Sequence, residues 1–351
     1  MDTRGKREKL DTERDTLRYG VMGSGLIGTY LGGRLASAGR DVVMVGRAAS
    51  RGAIARHGLR LTHYAKPEVR PESFSYETDV SALAGCDVIL LCVKSQATEE
   101  VGRELAARLT HSPLVVTFQN GVSNARRLEE ILTDAVVLPG LVPFNVASPE
   151  PGRFHQGTEG DLWVRAYSDK RLMALKAAFE EAGVGMELRA PMRPLLWGKL
   201  LMNLNNPLNA LWGGPLRAGL MQGPYRRVLA TMIAEALAVL RAAEIEPESP
   251  AKISPKMLPF LLRLPTPIYA LLMAGLLKID PEARSSMLED LEAGRSSENP
   301  YLQDEIIRLG RRFGVRVETN RRVAEAVADA FERGESPKLS GREMARRFLR
   351  R

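Results

Sequence analysis

The chain has 351 residues, a length that suits two domains, each able to bury a core of its own. Hydrophobic residues make up 44% and charged residues 26%, which excludes wholesale disorder and a fibrous repeat. Half of the formal charge of +8 is in residues 341–351, which carry five arginines against one acid. No basic stretch interleaved with aromatic residues appears, so a solvated helical tail is expected there and not a nucleic-acid site.

Cysteine and histidine usage predicts neither a disulfide framework nor a metal site. Cys86 and Cys92 do not form a CxxC pair, and the four histidines lack the spacing of metal ligands. Residues 1–18 form a charged amino-terminal extension without the apolar core of a secretory signal, so a cytoplasmic protein is expected. The apolar stretch 257–277 is interrupted by Arg263 and three prolines, which favours buried helices over a membrane span.

From residue 19 onward, short β-branched runs alternate with segments of helix length. This alternation is typical of βαβ units, and it predicts an α/β fold with a doubly wound parallel sheet. The predicted strands are residues 20–22, 42–45, 88–93, 114–118 and 136–138.

Beyond Pro191 and Pro194 the sequence changes to long helical patterns without a convincing strand. The clearest predicted helices are residues 195–212, 225–244 and 299–313. We therefore predict a Rossmann-type domain at 19–190, an all-helical domain at 191–340 and the basic tail at 341–351.

A glycine-rich turn, GSGLIG, follows the first predicted strand and opens a helix. The spacing GxGxxG is a weak signal alone, but between a strand and a helix it predicts a turn whose backbone amides hold a dinucleotide pyrophosphate. The expected cofactor-binding residues of this turn are Gly23, Ser24, Gly25, Leu26, Ile27 and Gly28.

The second predicted strand ends in Gly46-Arg47, where an NAD-specific domain usually has an acid for the ribose 2′-hydroxyl. An arginine can instead bind the extra phosphate of NADP, with Arg51 close enough to assist. The expected cofactor is therefore NADPH/NADP+, and the first domain is expected to bind it.

Several separated motifs resemble those of the ketopantoate reductase (2-dehydropantoate 2-reductase) family over roughly residues 19–345. They are the glycine loop through Arg47, CVKSQ at 92–96, FQNGV at 118–122, WGKLLMNLNNPLNAL at 197–211 and SSMLEDLEAGRSSE at 285–298. The resemblance implies an NADP-dependent oxidoreductase acting on a CH–OH group. It also implies reduction of 2-dehydropantoate to (R)-pantoate, a step of pantothenate and coenzyme A biosynthesis.

Lys199, Asn203 and Asn206 are spaced i, i+4 and i+7 among leucines, so one helical face would carry all three. Burying such a row is costly unless it faces a ligand; for this helix alone, an exposed polar stripe is the simpler interpretation. The resemblance implies that Lys199 donates a proton to the forming alkoxide and that the asparagines bind substrate. In the family the second asparagine lies at i+8, where this chain has Pro207.

The resemblance assigns roles to four further residues. Ser286 would bind the substrate carboxylate, and Glu298 would act near the catalytic lysine and the cofactor ribose, in a role left open. Lys94 and Asn120 end strands of the parallel sheet, where ligands of open α/β sheets bind. Lys94 would contact the cofactor, and Asn120 both the nicotinamide and the substrate. Without the family, Ser286 and Glu298 would be interpreted as helix caps and Asn120 as part of a turn.

The expected partner is a small anionic 2-keto acid, with no nucleic acid and no membrane, and a homodimer is expected because the helical domain is rich in apolar residues. Three alternatives stay open. The first is an NADPH-dependent reductase of a different small 2-keto acid. The second is a non-catalytic NADPH-binding sensor, which would have no need of Lys199, Ser286 and Glu298. The third, a protein that uses its arginine tail on nucleic acid or membrane, predicts loss of function on truncation after Leu339, whereas for an enzyme we expect activity largely to survive that truncation.

Overall fold

The chain divides into two compact units. The computed structural model describes residues 17–63, 65–249, 253–276 and 283–349. One unit comprises the chain up to Gln119 together with Ser123–Met192, and the other comprises Asn120–Val122 together with the chain from Arg193 onward. The first unit is an α/β structure, and the described residues of the second form helices and connecting segments only.

An eight-stranded sheet forms the centre of the first unit. Its strands are β1 (Arg18–Met22), β2 (Asp41–Val45), β5 (Ser75–Glu77), β6 (Val88–Leu91), β7 (Leu114–Thr117), β8 (Val136–Leu141), β11 (Leu162–Arg165) and β12 (Met186–Arg189). The strand order is β12-β11-β8-β7-β6-β1-β2-β5, and every neighbouring pair is parallel except β8 and β11. All five strands predicted from the sequence are present, so the predicted doubly wound sheet is confirmed.

Helices cover both faces of this sheet. They are α1 (Leu26–Ser37), α2 (Ala48–His57), α3 (Thr98–Ala106), α4 (Asn124–Ile131) and α5 (Lys170–Glu181). Successive strand residues alternate between two hydrophobic clusters, as a period of two requires: Leu90 packs with Leu31 of α1, and Ile89 packs with Leu105 of α3. The strands are apolar throughout because both of their faces are buried.

A second sheet of four short strands was not predicted. It consists of β3 (Arg60–His63), β4 (Lys66–Val69), β9 (Val146–Glu150) and β10 (Arg153–Gln156), in the order β4-β3-β10-β9. The Tyr30 hydroxyl donates a hydrogen bond of 2.8 Å to the Gln156 side chain and so joins α1 to β10. These strands are short and partly exposed, and two contain proline, which explains the weak sequence signal.

The second unit is built around one long helix. Its helices are α6 (Arg193–Asn203), α7 (Asn205–Trp212), α8 (Leu216–Leu220), α9 (Gly223–Ala242), α10 (Leu258–Arg263), α11 (Thr266–Leu276), α12 (Ser286–Glu292), α13 (Gln303–Arg312), α14 (Glu318–Arg333) and α15 (Gly341–Phe348). The helix α9 packs against α10, α14 and α15, and its buried residues form the centre of a single hydrophobic cluster.

The single helix predicted over residues 195–212 is interrupted at Leu204, between α6 and α7. Proline lacks an N–H and its ring clashes with the carbonyl four residues earlier, which for Pro207 is the carbonyl of Asn203. The proline therefore ends α6 at Asn203. Consequently Lys199 and Asn203 share one helix, whereas Asn206 belongs to the next.

The apolar stretch 257–277 contains α10 and α11, and no helix among the described residues is long and apolar enough to span a membrane. The prediction that these helices are buried holds on one side only: Leu262 and Tyr269 are buried, whereas Phe260 is 60% exposed and Leu271 is 77% exposed. Hydrophobic patterning cannot distinguish an apolar helix inside a core from one on a surface.

The basic tail begins with an amphipathic helix. Ser340 and Glu343 form a capping box at the amino end of α15. Met344 and Phe348 are fully buried in the cluster of the second unit, whereas Arg342, Arg346 and Arg347 are exposed. The solvated tail expected from the charge pattern is therefore solvated on one face only.

Candidate active site

The glycine loop connects β1 directly to α1. Gly23 has φ +97°, and a Cβ atom there would lie 2.5 Å from the Val93 backbone nitrogen. A Cβ atom on Gly28 would lie 2.2 Å from the Gly23 carbonyl oxygen. Both positions therefore require glycine for the tight turn and for the close approach of α1 to the strand.

The amino end of α1 is open. A Cβ atom on Gly25 would meet no atom within 4 Å, and Gly25 and Leu26 are exposed. No side chain caps the helix and no acidic residue lies in its first turn. Unpaired backbone amides and the positive end of the helix dipole therefore remain for an anion. By contrast, Ser24 is buried and its hydroxyl donates to the Val45 carbonyl at 3.1 Å, so this side chain braces the loop.

Arg47 is the second residue after β2 and directly precedes the first residue of α2. It is exposed, and no ion pair joins it to an acid among the described residues. Arg51, one turn later, is 3.9 Å from the Glu77 carboxylate, which partly neutralises its charge. Arg47 is thus the cation at this strand end with the fewest competing partners.

Lys94 and Asn120 follow β6 and β7 in the chain. The residues next to them in sequence, Ser95 and Gln119, belong to a buried polar network of the first unit. The Thr98 hydroxyl accepts from the Gln119 amide at 2.7 Å and donates to the Ser95 carbonyl at 2.8 Å. The Asn124 amide donates to the Ser95 hydroxyl at 3.1 Å. The network fixes Ser95 and Gln119, the chain neighbours of Lys94 and Asn120. This network was not predicted from the sequence, because Ser, Thr and Gln give no motif at these separations.

Lys199 and Glu298 come together within the second unit. Lys199 is partly buried on α6, and Glu298 is buried just before the turn Asn299–Tyr301. Burial lowers the pKa of the Lys199 ammonium from 10.5 to about 8, and the negative charge of Glu298 opposes this shift. A lysine in this state is still largely charged at neutral pH and gives up its proton far more readily than an exposed one.

Asparagines in α6 and α7 divide into two groups. Asn205 accepts from the Tyr225 hydroxyl at 2.8 Å, and Asn209 accepts from the Ser285 backbone N–H at 3.0 Å. Asn203 and Asn206 are partly buried, and neither side chain has a hydrogen-bond partner among the described residues. The two asparagines predicted to bind substrate are thus the pair whose amides are available to a ligand.

Ser285, the residue before the predicted substrate serine, is the amino-terminal cap of α12. It is buried, its hydroxyl accepts from the Leu288 N–H at 3.2 Å, and the same hydroxyl contacts the Asn206 carbonyl at 3.4 Å. Ser286 is exposed as the first residue of the helix. The cap and the candidate ligand are therefore adjacent residues, and Ser285 ties α12 to α7. Of the two serines, only Ser286 was predicted from the sequence to have a role.

The described residues contain no group of three His, Cys, Asp or Glu side chains arranged to hold a metal ion. Cys86 and Cys92 are free thiols, and burial raises the pKa of each to about 12. A thiol with so high a pKa is not a nucleophile at neutral pH.

Two family models match the sequence. The model described as "Ketopantoate reductase PanE/ApbA" matches residues 19–169, and the model "Ketopantoate reductase PanE/ApbA C terminal" matches residues 192–330. The chain belongs to the ketopantoate reductase family. The predicted family and the predicted oxidoreductase class are thereby confirmed.

Individual relatives agree with this family. A 2-dehydropantoate 2-reductase of Halobacterium salinarum is 30% identical over 233 residues, which are 64% of this chain and 76% of the relative. A PanE/ApbA family ketopantoate reductase structure from Ralstonia eutropha superposes with a TM-score of 0.77 at 29% identity, over 91% of this chain and 99% of the other. A D-mandelate dehydrogenase bound to NADH and anilino(oxo)acetate has a TM-score of 0.73 at 18% identity, over 91% and 99% of the two chains, which shows a shared fold.

Proposed function

We propose that this ketopantoate reductase family member reduces 2-dehydropantoate to pantoate with NADPH. The observation that carries the proposal is the state of Lys199. This ammonium is partly buried, its pKa is lowered to about 8, and Glu298 lies within electrostatic reach. It is also on the same helix as Asn203, one turn away.

The proposed chemistry needs one proton donor beside the substrate ketone. NADPH supplies the hydride when it is bound. Lys199 then donates its proton to the forming alkoxide, and its positive charge stabilises that oxygen before the proton moves. Asn203 and Asn206 orient the substrate through their side-chain amides, and Ser286 donates its hydroxyl to the substrate carboxylate. Glu298 keeps the lysine charged between turnovers.

Binding of the dinucleotide by the first unit is supported by the open amino end of α1 and by Arg47. Within the loop from Gly23 to Gly28, the amides of the last three residues would hold the pyrophosphate. The amides of Gly23, Ser24 and Gly25 already donate to carbonyl oxygens of the protein and shape the turn. Arg47 would bind the 2′-phosphate, since no acid stands at the end of β2 to favour a ribose hydroxyl. Lys94 would contact the ribose or phosphate side and Asn120 the nicotinamide.

The deciding experiment follows NADPH oxidation by the purified chain with 2-dehydropantoate and a panel of other 2-keto acids. A Lys199→Ala variant, which should lose about 10²- to 10⁴-fold in kcat, is measured beside it. Lys199→Arg is the conservative companion, because an arginine keeps the charge but does not release a proton. Turnover with 2-dehydropantoate that survives in both variants would overturn the role of Lys199.

A reductase of a different small 2-keto acid is the second candidate. Pro207 occupies the family's second asparagine position, and Asn206 is placed on α7, separate from the helix of Lys199. Turnover with aryl or branched keto acids in excess of turnover with 2-dehydropantoate would favour this candidate and keep the same proton donor.

A further inference from the structure

An open groove of the second unit lies between the first turn of α9 and the outer face of α15. Its volume is about 660 Å³, within the roughly 300 to 1,000 Å³ of small-molecule sites. The lining residues are Pro224, Arg227, Arg342, Ala345, Arg346 and Leu349. The last four are spaced i, i+3, i+4 and i+7, so one face of α15 forms a wall of the groove. The reaction proposed above makes no use of it.

Three of the lining residues are exposed arginines without an acidic partner. Among the described residues, no ion pair and no side-chain hydrogen bond joins Arg227, Arg342 or Arg346 to another residue. By contrast, Arg347 on the same helix is 3.9 Å from the Asp329 carboxylate. Like charges that line one cleft concentrate its potential and attract a ligand of opposite charge.

The acid on α15 does not neutralise the groove. Glu343 interacts electrostatically with Arg346, but its carboxylate already accepts hydrogen bonds from the Ser340 backbone N–H at 2.8 Å and from the Ser340 hydroxyl at 2.6 Å. The amino end of α9 adds positive potential, because no side chain caps this helix of 20 residues and no acid lies in its first turn. The groove is therefore a site for an anion with several negative charges.

We propose that the groove binds a polyphosphate chain, of the kind carried by nucleoside triphosphates and by inorganic polyphosphate. A guanidinium group is planar and donates two parallel hydrogen bonds to a phosphoryl group. Three such groups along one groove suit consecutive phosphoryl groups better than a single carboxylate. Pro224, Ala345 and Leu349 are partly buried and offer an apolar surface to the base of a nucleotide.

The composition of the lining disfavours a macromolecular partner. Single-stranded nucleic acids bind on aromatic side chains that stack with the bases, and none of the described lining residues is aromatic. A membrane surface would need large exposed apolar side chains beside the arginines, whereas the apolar lining residues are only partly exposed. The glycine loop proposed to bind the dinucleotide belongs to the first unit, so the groove is a separate site.

The test is isothermal titration calorimetry of the full chain with ATP, tripolyphosphate and AMP, in saturating NADPH. The NADPH keeps these ligands out of the proposed dinucleotide site. ATP and tripolyphosphate should each bind once per chain, and AMP at least about 10-fold more weakly, because its single phosphoryl group reaches fewer arginines. Tighter binding of ATP would identify a nucleoside triphosphate as the ligand, and equal binding of the two would identify the inorganic chain.

Two variants locate the binding site on the chain. Arg342→Ala and Arg346→Ala should each raise the Kd for tripolyphosphate roughly 10-fold, because each removes a charge-assisted hydrogen bond to a phosphoryl group. Arg347→Ala is the matched control, since it makes the same change of charge on the same helix outside the lining, and its Kd should equal that of the wild type. All three side chains are exposed, so the variants should keep the wild-type circular dichroism.

A wild type that binds no polyphosphate would overturn the proposal, and so would a loss of affinity in Arg347→Ala as large as in the other two variants. A single-stranded oligonucleotide is titrated in parallel. If it binds through Arg342 and Arg346 while tripolyphosphate does not bind, the groove is a nucleic-acid contact instead. The proposal is independent of the proposed reaction, because a chain that fails to turn over 2-keto acids still reports on the groove in these titrations.

Discussion

Glu298 counteracts the effect of burial on Lys199. Burial disfavours the lysine's positive charge and lowers its pKa to about 8, whereas the carboxylate of Glu298 favours that charge. The two effects together keep the pKa of the proposed donor close to neutral pH. Lys199 is therefore charged in most molecules at pH 7, yet acidic enough to transfer its proton during reduction.

Keto-acid reduction should accordingly be lost on the alkaline side. The lysine is protonated below its pKa and deprotonated above it, so kcat should be constant below about pH 7 and should fall about tenfold per pH unit above about pH 8. The Glu298→Gln variant removes the charge that raises the pKa, so its alkaline limb should move to lower pH. A pH–rate profile of kcat measures the alkaline limb of the wild type and that of the variant. Glu292→Gln, at an exposed position of α12, is the control, and identical limbs in all three proteins would contradict the role of Glu298.

Arg47→Ala should weaken NADPH binding selectively. Loss of one charge-assisted bond to a phosphate costs about 1.5 to 3 kcal/mol, so the KM for NADPH should rise roughly 10- to 100-fold while the KM for NADH changes little. Arg56→Ala, on the exposed side of the same helix α2, should leave both constants unchanged. Equal losses with both cofactors would show that Arg47 does not bind the 2′-phosphate.

Thr98→Val should damage both stability and cofactor binding. The substitution removes the hydroxyl that links Ser95 to Gln119 and leaves their buried polar groups without it. The free energy of unfolding should fall by about 1 to 3 kcal/mol in urea titrations, and the KM for NADPH should rise. Thr110→Val is a matched control, because the Thr110 hydroxyl donates to the Ala84 carbonyl on an exposed surface. If Thr98→Val is as stable as Thr110→Val, the network does not contribute to the stability of the fold.

Phe348→Ala should destabilise the second unit by about 3 to 5 kcal/mol, because the side chain is 1% exposed and its removal leaves a cavity. Truncation after Leu339 should cost at least as much, since it also removes Met344. This reverses the expectation that activity survives truncation of a solvated tail. Thermal unfolding of both proteins is the measurement. Arg347→Ala loses two surface interactions, a pair with Asp329 at 3.9 Å and a contact of 5.6 Å with the centre of the Phe348 ring, and should melt within a few degrees of the wild type.

The sequence predicted those parts of the fold that have strong local signals. Buried parallel strands such as β6 and β7 are continuous apolar runs, and the glycine loop lies between a strand and a helix. The strands of the second sheet carry no such signal, because β4 and β9 contain proline and lie partly in solvent. The end of α6 at Asn203 follows from the steric effect of Pro207 alone, although the single helix predicted over residues 195–212 ignores that proline.

The candidate site also has parts that were predicted from the sequence and parts that only the structure shows. Lys199 and Glu298 are 99 positions apart, and only the family pattern relates them before the structure does. The cap role of Ser285 and the exposure of Leu271 depend on tertiary packing, which neither periodicity nor composition encodes. Ser286 and Lys94 remain assignments from the family pattern.

The parallel pairing of β3 with β10 also has a consequence for synthesis. Thr62 and His155 hydrogen-bond at 2.9 Å although 93 residues separate them along the chain. At roughly 5 to 20 residues per second, a ribosome needs on the order of ten seconds to add that length of chain. During this interval the edge of β3 that pairs with β10 in the finished protein has no partner strand. Neighbouring nascent chains on the same polysome expose the same unpaired edge. Contacts of such long range also fold slowly. The second sheet is thus the part of the first unit for which translation speed and chaperone access matter most.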